Sequence, residues 1–269
     1  MHILSPPKKI VMARSTIKVL IPRNPDDLFS LTGNVLAKHT LDGAASVIPT
    51  DVAAELQTLY TKGLEQHELQ KNLYRDAENY IEQRNLALGT HYTQDSRTPN
   101  TVKFYVTSAR DVLAGLNRSN LRHLGKWGYT VNSPNNISKV VIPTKTEKLL
   151  ELSKKVMDKH AADGASSPLP NADITALSAL YTNASNYHKN ALEAYKLAED
   201  ATEKRNRFLG LEKNQGTKAT GNILYIVTSI RTLLRGYNRG NEQNLGNWGY
   251  TVNTSAARGG NTPATPPEE

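Results

Sequence analysis

A shift of 121 residues lays this chain onto itself. Lys38-His39 falls on Lys159-His160, Leu59-Tyr60-Thr61 on Leu180-Tyr181-Thr182, Val106-Thr107-Ser108 on Val227-Thr228-Ser229, and Trp127-Gly128-Tyr129 on Trp248-Gly249-Tyr250. Between Ile17–Asn132 and Ser138–Asn253, 45 of 116 positions are identical, with no insertion or deletion. Unrelated helical sequences do not hold register over such a length, so the chain is a tandem duplication. The matches locate shared structure; two copies inside one chain do not by themselves mark a site.

Each repeat opens on a β-like run, Lys18-Val19-Leu20-Ile21 and Lys139-Val140-Val141-Ile142, ended by Pro22 and Pro143. A helix start follows. Asn24 can cap the first copy with Pro25 at its first position, and Thr144 with Glu147 has the spacing of a capping box in the second. Leu28, Leu31, Val35 and His39 share one face, as do Leu149, Leu152, Val156 and His160, and Gly43 and Gly164 stand where a left-handed residue ends a helix. The next apolar series runs from Val52 to Gly89, and from Ile174 to Gly210. It predicts a helix of about 38 residues, about 57 Å long at the helical rise, and no internal proline forces a kink in it. A polar loop leads to a third helix, which carries Val102, Val106, Leu113 and Leu116 in one copy and Ile223, Val227, Leu234 and Tyr237 in the other. Each repeat then closes on Leu-Gly-x-Trp-Gly-Tyr-Thr-Val-Asn.

These elements predict an all-α protein of two tandem three-helix bundle units, related by a pseudo-twofold, with short β-like segments at the ends of each. The units are 17–132 and 138–253, between a flexible N-terminal arm (1–16, with a second Met at position 12) and a disordered C-terminal tail (254–269). Only Ser-Pro-Asn-Asn-Ile, Ser133 to Ile137, joins them, and that is turn chemistry. The turn allows Gly128–Val131 to pair with Lys139–Ile142, and symmetry then pairs Lys18–Ile21 with Gly249–Val252. One compact body that unfolds as a unit would follow. The alternative is pairing inside each repeat.

Composition narrows the function classes. The chain lacks Cys, which removes disulfides, thiol nucleophiles and cysteine-ligated metals. No apolar run reaches the roughly 20 residues of a membrane span, so the expected location is the cytoplasm. The net charge of +8 invites a nucleic-acid reading. It is spread thinly, however: +3 on the arm, +1 on the first repeat and +5 on the second, against −1 on the tail. A mildly basic, solvated surface accounts for it.

Several residues could carry chemistry. His39 with Asp42, and His160 with Asp163, have the spacing of a base or a metal-ligand pair, or of a histidine at a helix C-terminus followed by a turn carboxylate. His67 and His188 lie on the apolar stripe of the long helix and read as core histidines. Arg84-Asn85 and Arg205-Asn206 could grip an anion, but one turn before a terminating glycine they read as capping. Trp127 and Trp248, each followed by Gly and then Tyr129 or Tyr250, could form a stacking platform or plug the bundle, and packing is preferred. No phosphate loop, dinucleotide fingerprint or metalloprotease helix is present, so no catalytic residue, cofactor or metal is expected.

The Leu-Gly-x-Trp-Gly-Tyr/Phe ending, with Lys-His-x-x-Asp-Gly-Ala upstream, resembles a family of bacterial proteins built from one or two such helical units. The resemblance spans Ile17 to Asn253 and implies a helical fold without pointing to an activity. The expected function is a non-enzymatic structural or protein-interaction module with a protein partner, self-association included. Nucleic-acid binding through the basic surface, and small-molecule or metal binding at the paired histidines, are the alternatives. No membrane partner is expected.

Overall fold

The computed structural model describes residues 17–132, 139–212 and 220–254. The expectations for the arm, the Ser133–Ile137 turn and the tail lie outside the described residues. The chain is mostly helical. Its elements are β1 (Ile17–Leu20), α1 (Pro25–Asp42), α2 (Thr50–Leu88), α3 (Val102–Leu116), β2 (Thr130–Asn132), β3 (Lys139–Val141), α4 (Thr146–Asp163), α5 (Asn171–Leu209), α6 (Ile223–Tyr237) and β4 (Thr251–Thr254). Tight 3-10 turns occupy Gly43–Ala45, Leu121–Trp127, Gly164–Ser166 and Glu242–Trp248. Every helix boundary of the first repeat recurs 121 residues later. The duplication is therefore structural as well as sequential.

Local chemistry explains most of the ends. Asn24 caps α1 by accepting the Asp26 N–H at 2.9 Å, with Pro25 in the first turn. The corresponding helix α4 differs from expectation. Its cap position is Lys145, which makes no side-chain cap, so Thr144 lies one residue too early for a capping box and Glu147 falls in the first turn. Gly43 and Gly164 do take positive φ, at 51°, but with ψ of −123° and −126° they turn the chain into a 3-10 corner and do not adopt the left-handed helical conformation. Helices α2 and α5 each run unbroken for 39 residues, as the lack of an internal proline allows.

Two compact bodies form, and their limits are not those of the repeats. One holds the described residues up to Glu68 together with those from Ala201 onward; the other is Leu69–Asp200. Each body thus takes the opening half of one repeat and the closing half of the other. The first core packs Leu28, Leu31, Val35 and Leu56 from the first repeat with Ile223, Val227, Ile230, Leu234, Leu245 and Trp248 from the second. The second packs Val102, Val106, Leu113, Leu124 and Trp127 with Leu149, Leu152, Val156 and Leu177. The expectation of two self-contained tandem three-helix bundles is corrected accordingly: the helices of one repeat do not close a core among themselves.

The strands obey the same exchange. β1 pairs antiparallel with β4, Lys18 opposite Asn253 and Val19 opposite Val252, while β2 pairs with β3, Val131 opposite Val140. This is the cross-repeat pairing that the short linker suggests, and among the described residues no strand pairs inside its own repeat. In the first body the Phe29 ring lies against Gly63, where an added Cβ would come within 2.9 Å of it. The corresponding positions in the second repeat hold Leu150 and Ala184, both belonging to the second core: the smaller side chain goes with the larger partner, as close packing demands.

Candidate functional site

The repeated closing motif builds a corner in each body. Past α3, Asn117 donates its side-chain N–H to the Leu113 carbonyl at 2.8 Å, and a 3-10 turn carries Leu124 and Trp127 inward. Gly128 then takes φ 89°, a left-handed residue that reverses the chain. Tyr129 is thereby directed back into the core, where its hydroxyl donates to the Val106 carbonyl at 2.7 Å; Tyr250 does the same to Val227 at 2.7 Å. Trp127 and Trp248 are only 7% and 6% exposed, so neither indole offers a stacking face to a base or sugar.

The cation beside each indole comes from the opposite repeat. Lys38 Nζ lies 5.8 Å from the Trp248 ring, and Lys159 Nζ lies 5.8 Å from the Trp127 ring, within cation–π range. These lysines also take the carboxylates that one of the two sequence readings pairs with histidine. Lys38 pairs with Asp42 at 2.5 Å, and Lys159 pairs with Asp163. His39 Nδ1 instead meets the Ser46 hydroxyl at 2.6 Å and His160 Nδ1 meets Ser167 at 2.7 Å. Ser46 Oγ in turn accepts the Ile48 N–H at 3.3 Å. The Lys-His-x-x-Asp-Gly-Ala segment is thus a helix-ending device. Among the described residues no group of three or more His, Asp or Glu could hold a metal ion.

The structure brings together residues that the sequence kept apart. His67 is buried beside Phe29, its Nδ1 3.4 Å from an Arg205 guanidinium nitrogen and its Nε2 2.8 Å from Asp26 Oδ1. The Asp26 contact has ion-pair distance without hydrogen-bond alignment. Arginine can only donate, so Nδ1 is the acceptor and the proton of a neutral ring sits on Nε2, facing Asp26. The second body repeats the cluster, with His188 Nδ1 3.3 Å from Arg84 and Nε2 4.0 Å from Glu147. Arg84 and Arg205 also donate two hydrogen bonds each, at 3.2 and 3.0 Å, to Asn85 and Asn206. The Arg-Asn pairs therefore tie α2 and α5 to the histidines, which the capping reading did not foresee. His67 is thereby buried with both ring nitrogens facing protein groups, whereas His188 is half-buried.

Charge on the second repeat is internally balanced where it is densest. Helix α4 carries Lys148, Lys154, Lys155 and Lys159. Lys148 and Lys155 both pair with Glu151, at 3.0 and 2.8 Å, and Lys154 pairs with Asp158 at 2.7 Å. Hydrogen bonds from Lys155 and then Lys148 hold the Glu151 carboxyl down at about 2. With Lys159 on Asp163, all four lysines are ion-paired, three carboxylates serving them.

Burial pushes the Tyr129 and Tyr250 phenols well above the ordinary tyrosine value. The raised value means that the neutral form is favoured in the folded state. Its contribution is complete below about pH 10, the unfolded value, and is lost as pH climbs from there toward the folded one. Tyr129→Phe should cost about 1 kcal/mol at pH 7 through the lost hydrogen bond. The gap between parent and variant should then close above about pH 10, because phenylalanine has nothing to ionise. Denaturant melts at pH 7 and across the alkaline range measure this; a gap independent of pH would contradict it.

Compared with known proteins, the chain matches no family model, no curated protein and no solved structure.

Proposed function

We propose that the protein is a non-enzymatic helical interaction module, built from a duplicated unit, that docks a protein partner through the outer face of its third helices. The carrying observation is a pair of glycines. Gly115 in α3 and Gly236 in α6 have nothing within 4 Å of where a Cβ would stand. Both stand in the last turn of their helices, where a glycine costs up to about 1 kcal/mol relative to alanine, and neither a positive φ nor internal packing calls for them. Each lies beside exposed apolar side chains: Val112, 38% exposed, and Leu116, 65% exposed, in one body, and Tyr237, 67% exposed, in the other. Thr232, Leu233, Gly236 and Tyr237 line a shallow open groove. Bare backbone flanked by apolar side chains suits close approach by another protein surface.

Support for the non-enzymatic part comes from the engaged states of His39, His67, His160 and His188. The paired lysines of α4 weigh against a phosphate-binding face. No helix among the described residues is long and apolar enough to cross a membrane.

Two measurements test the reading. Gly115→Ala and Gly236→Ala should each raise stability by about 0.5–1 kcal/mol, because the methyl meets open space. A photo-crosslinking residue at position 116 or 237, in cells that make the protein, should give discrete protein adducts that are lost in a Gly115→Arg/Gly236→Arg variant. A crosslinker at Leu41, 80% exposed, should not give them. Adducts equally strong from position 41, or binding to mixed DNA and RNA that falls steeply with salt, would refute it.

A further inference from the structure

Each body is closed by contacts that join one repeat to the other. β1 pairs with β4 and β2 with β3. Gly249 approaches Asn34 so closely that a Cβ would come within 2.7 Å of that residue's Cβ, and Gly128 does the same to Lys155. The Arg231 guanidinium donates to the Val19 carbonyl at 3.2 Å across 212 residues. Tyr74 stacks edge-on, 5.9 Å between centroids, against Tyr195, which is its own counterpart under the 121-residue shift. A residue meeting its own copy is what symmetric homodimers show.

We infer that the chain is a covalently joined dimer in which each repeat is the obligate binding partner of the other. The interaction surface of one repeat is the apolar face of its first helix with its opening strand. The surface that covers it is the third helix, the Trp-Gly-Tyr corner and the closing strand of the second copy. A repeat without its partner exposes both surfaces at once, including the faces that bear Leu28 and Trp127. The linker's role is then to raise effective concentration, and the fold does not depend on its continuity.

The test uses the full chain with a protease site, set in a longer Gly/Ser segment, replacing Ser133–Ile137. After cutting, the two pieces should co-elute at the mass of the uncut chain, with unchanged helical circular dichroism. The thermal midpoint should become concentration-dependent, whereas that of the uncut chain is not. On dilution, mass and helical signal should fall together. Aggregation of the pieces once diluted would equally show that neither repeat folds alone. Two separate species of half the mass that keep the helical signal, with a midpoint independent of concentration, would overturn the inference.

Discussion

Replacing Trp248 with alanine should lower the unfolding free energy by about 3–5 kcal/mol, and Trp127→Ala should do the same. Each indole is almost fully buried in a core to which both repeats contribute. Truncation leaves a large cavity that the surroundings cannot fill, because one wall is a 3-10 turn fixed by Gly125, Gly128 and the Tyr129 anchor, or by their counterparts. The favourable placement of Lys38 or Lys159 over the ring is lost as well. Chemical denaturation of the purified variants measures the effect. A Trp248→Ala protein as stable as its parent would show that the corner does not hold the first body together.

Gly249→Ala should be comparably damaging, at about 3 kcal/mol, although it adds only one methyl group. Two costs combine. Gly249 has φ 87°, a region that costs a non-glycine residue about 1–2 kcal/mol. The new Cβ would also stand 2.7 Å from Asn34 Cβ, an atom anchored directly to the backbone of α1, so the corner must lift from the helix. Gly240→Ala is the internal control, since it has φ 88° but nothing within 4 Å, and it should show the strain alone. If the two variants lose the same stability, the close approach of corner and helix contributes nothing.

The helices were legible in the sequence because each has a clear apolar stripe and a chemical end. The pairs Asn24-Pro25 and Gly89/Gly210 mark boundaries that the structure places within a residue or two. The strand exchange was legible for a different reason: about five residues between two β-like runs leave them little choice but to pair. What periodicity could not reveal is which copy covers an apolar face. In a duplicated chain the face of α1 looks equally complementary to α3 and to α6, so tandem bundles and exchanged bodies fit the same pattern. The histidine clusters were hidden by the same ambiguity. His67 and Arg205 lie 138 residues apart, and nothing local to either announces the other. Lys38 is four residues before Asp42, a spacing at which side chains meet on a helix, and that spacing is the local sign that Asp42 belongs to lysine and not to His39. The anchoring of Tyr129 on Val106 depends on the reversal at Gly128, which only the turn geometry reveals.

The absence of Cys from the chain makes engineered disulfides an unambiguous probe of the central claim, that each body is built from both repeats. Lys18 and Asn253 are direct partners in the β1–β4 ladder, and Cα atoms of opposed antiparallel residues lie about 4.5–5.5 Å apart, within reach of a disulfide. Oxidation of Lys18→Cys/Asn253→Cys should give a fast, near-complete intramolecular crosslink that raises the melting temperature. Lys18→Cys/Asn132→Cys, which tests pairing inside the first repeat, should stay reduced. A crosslink in the second variant and none in the first would contradict the exchanged architecture.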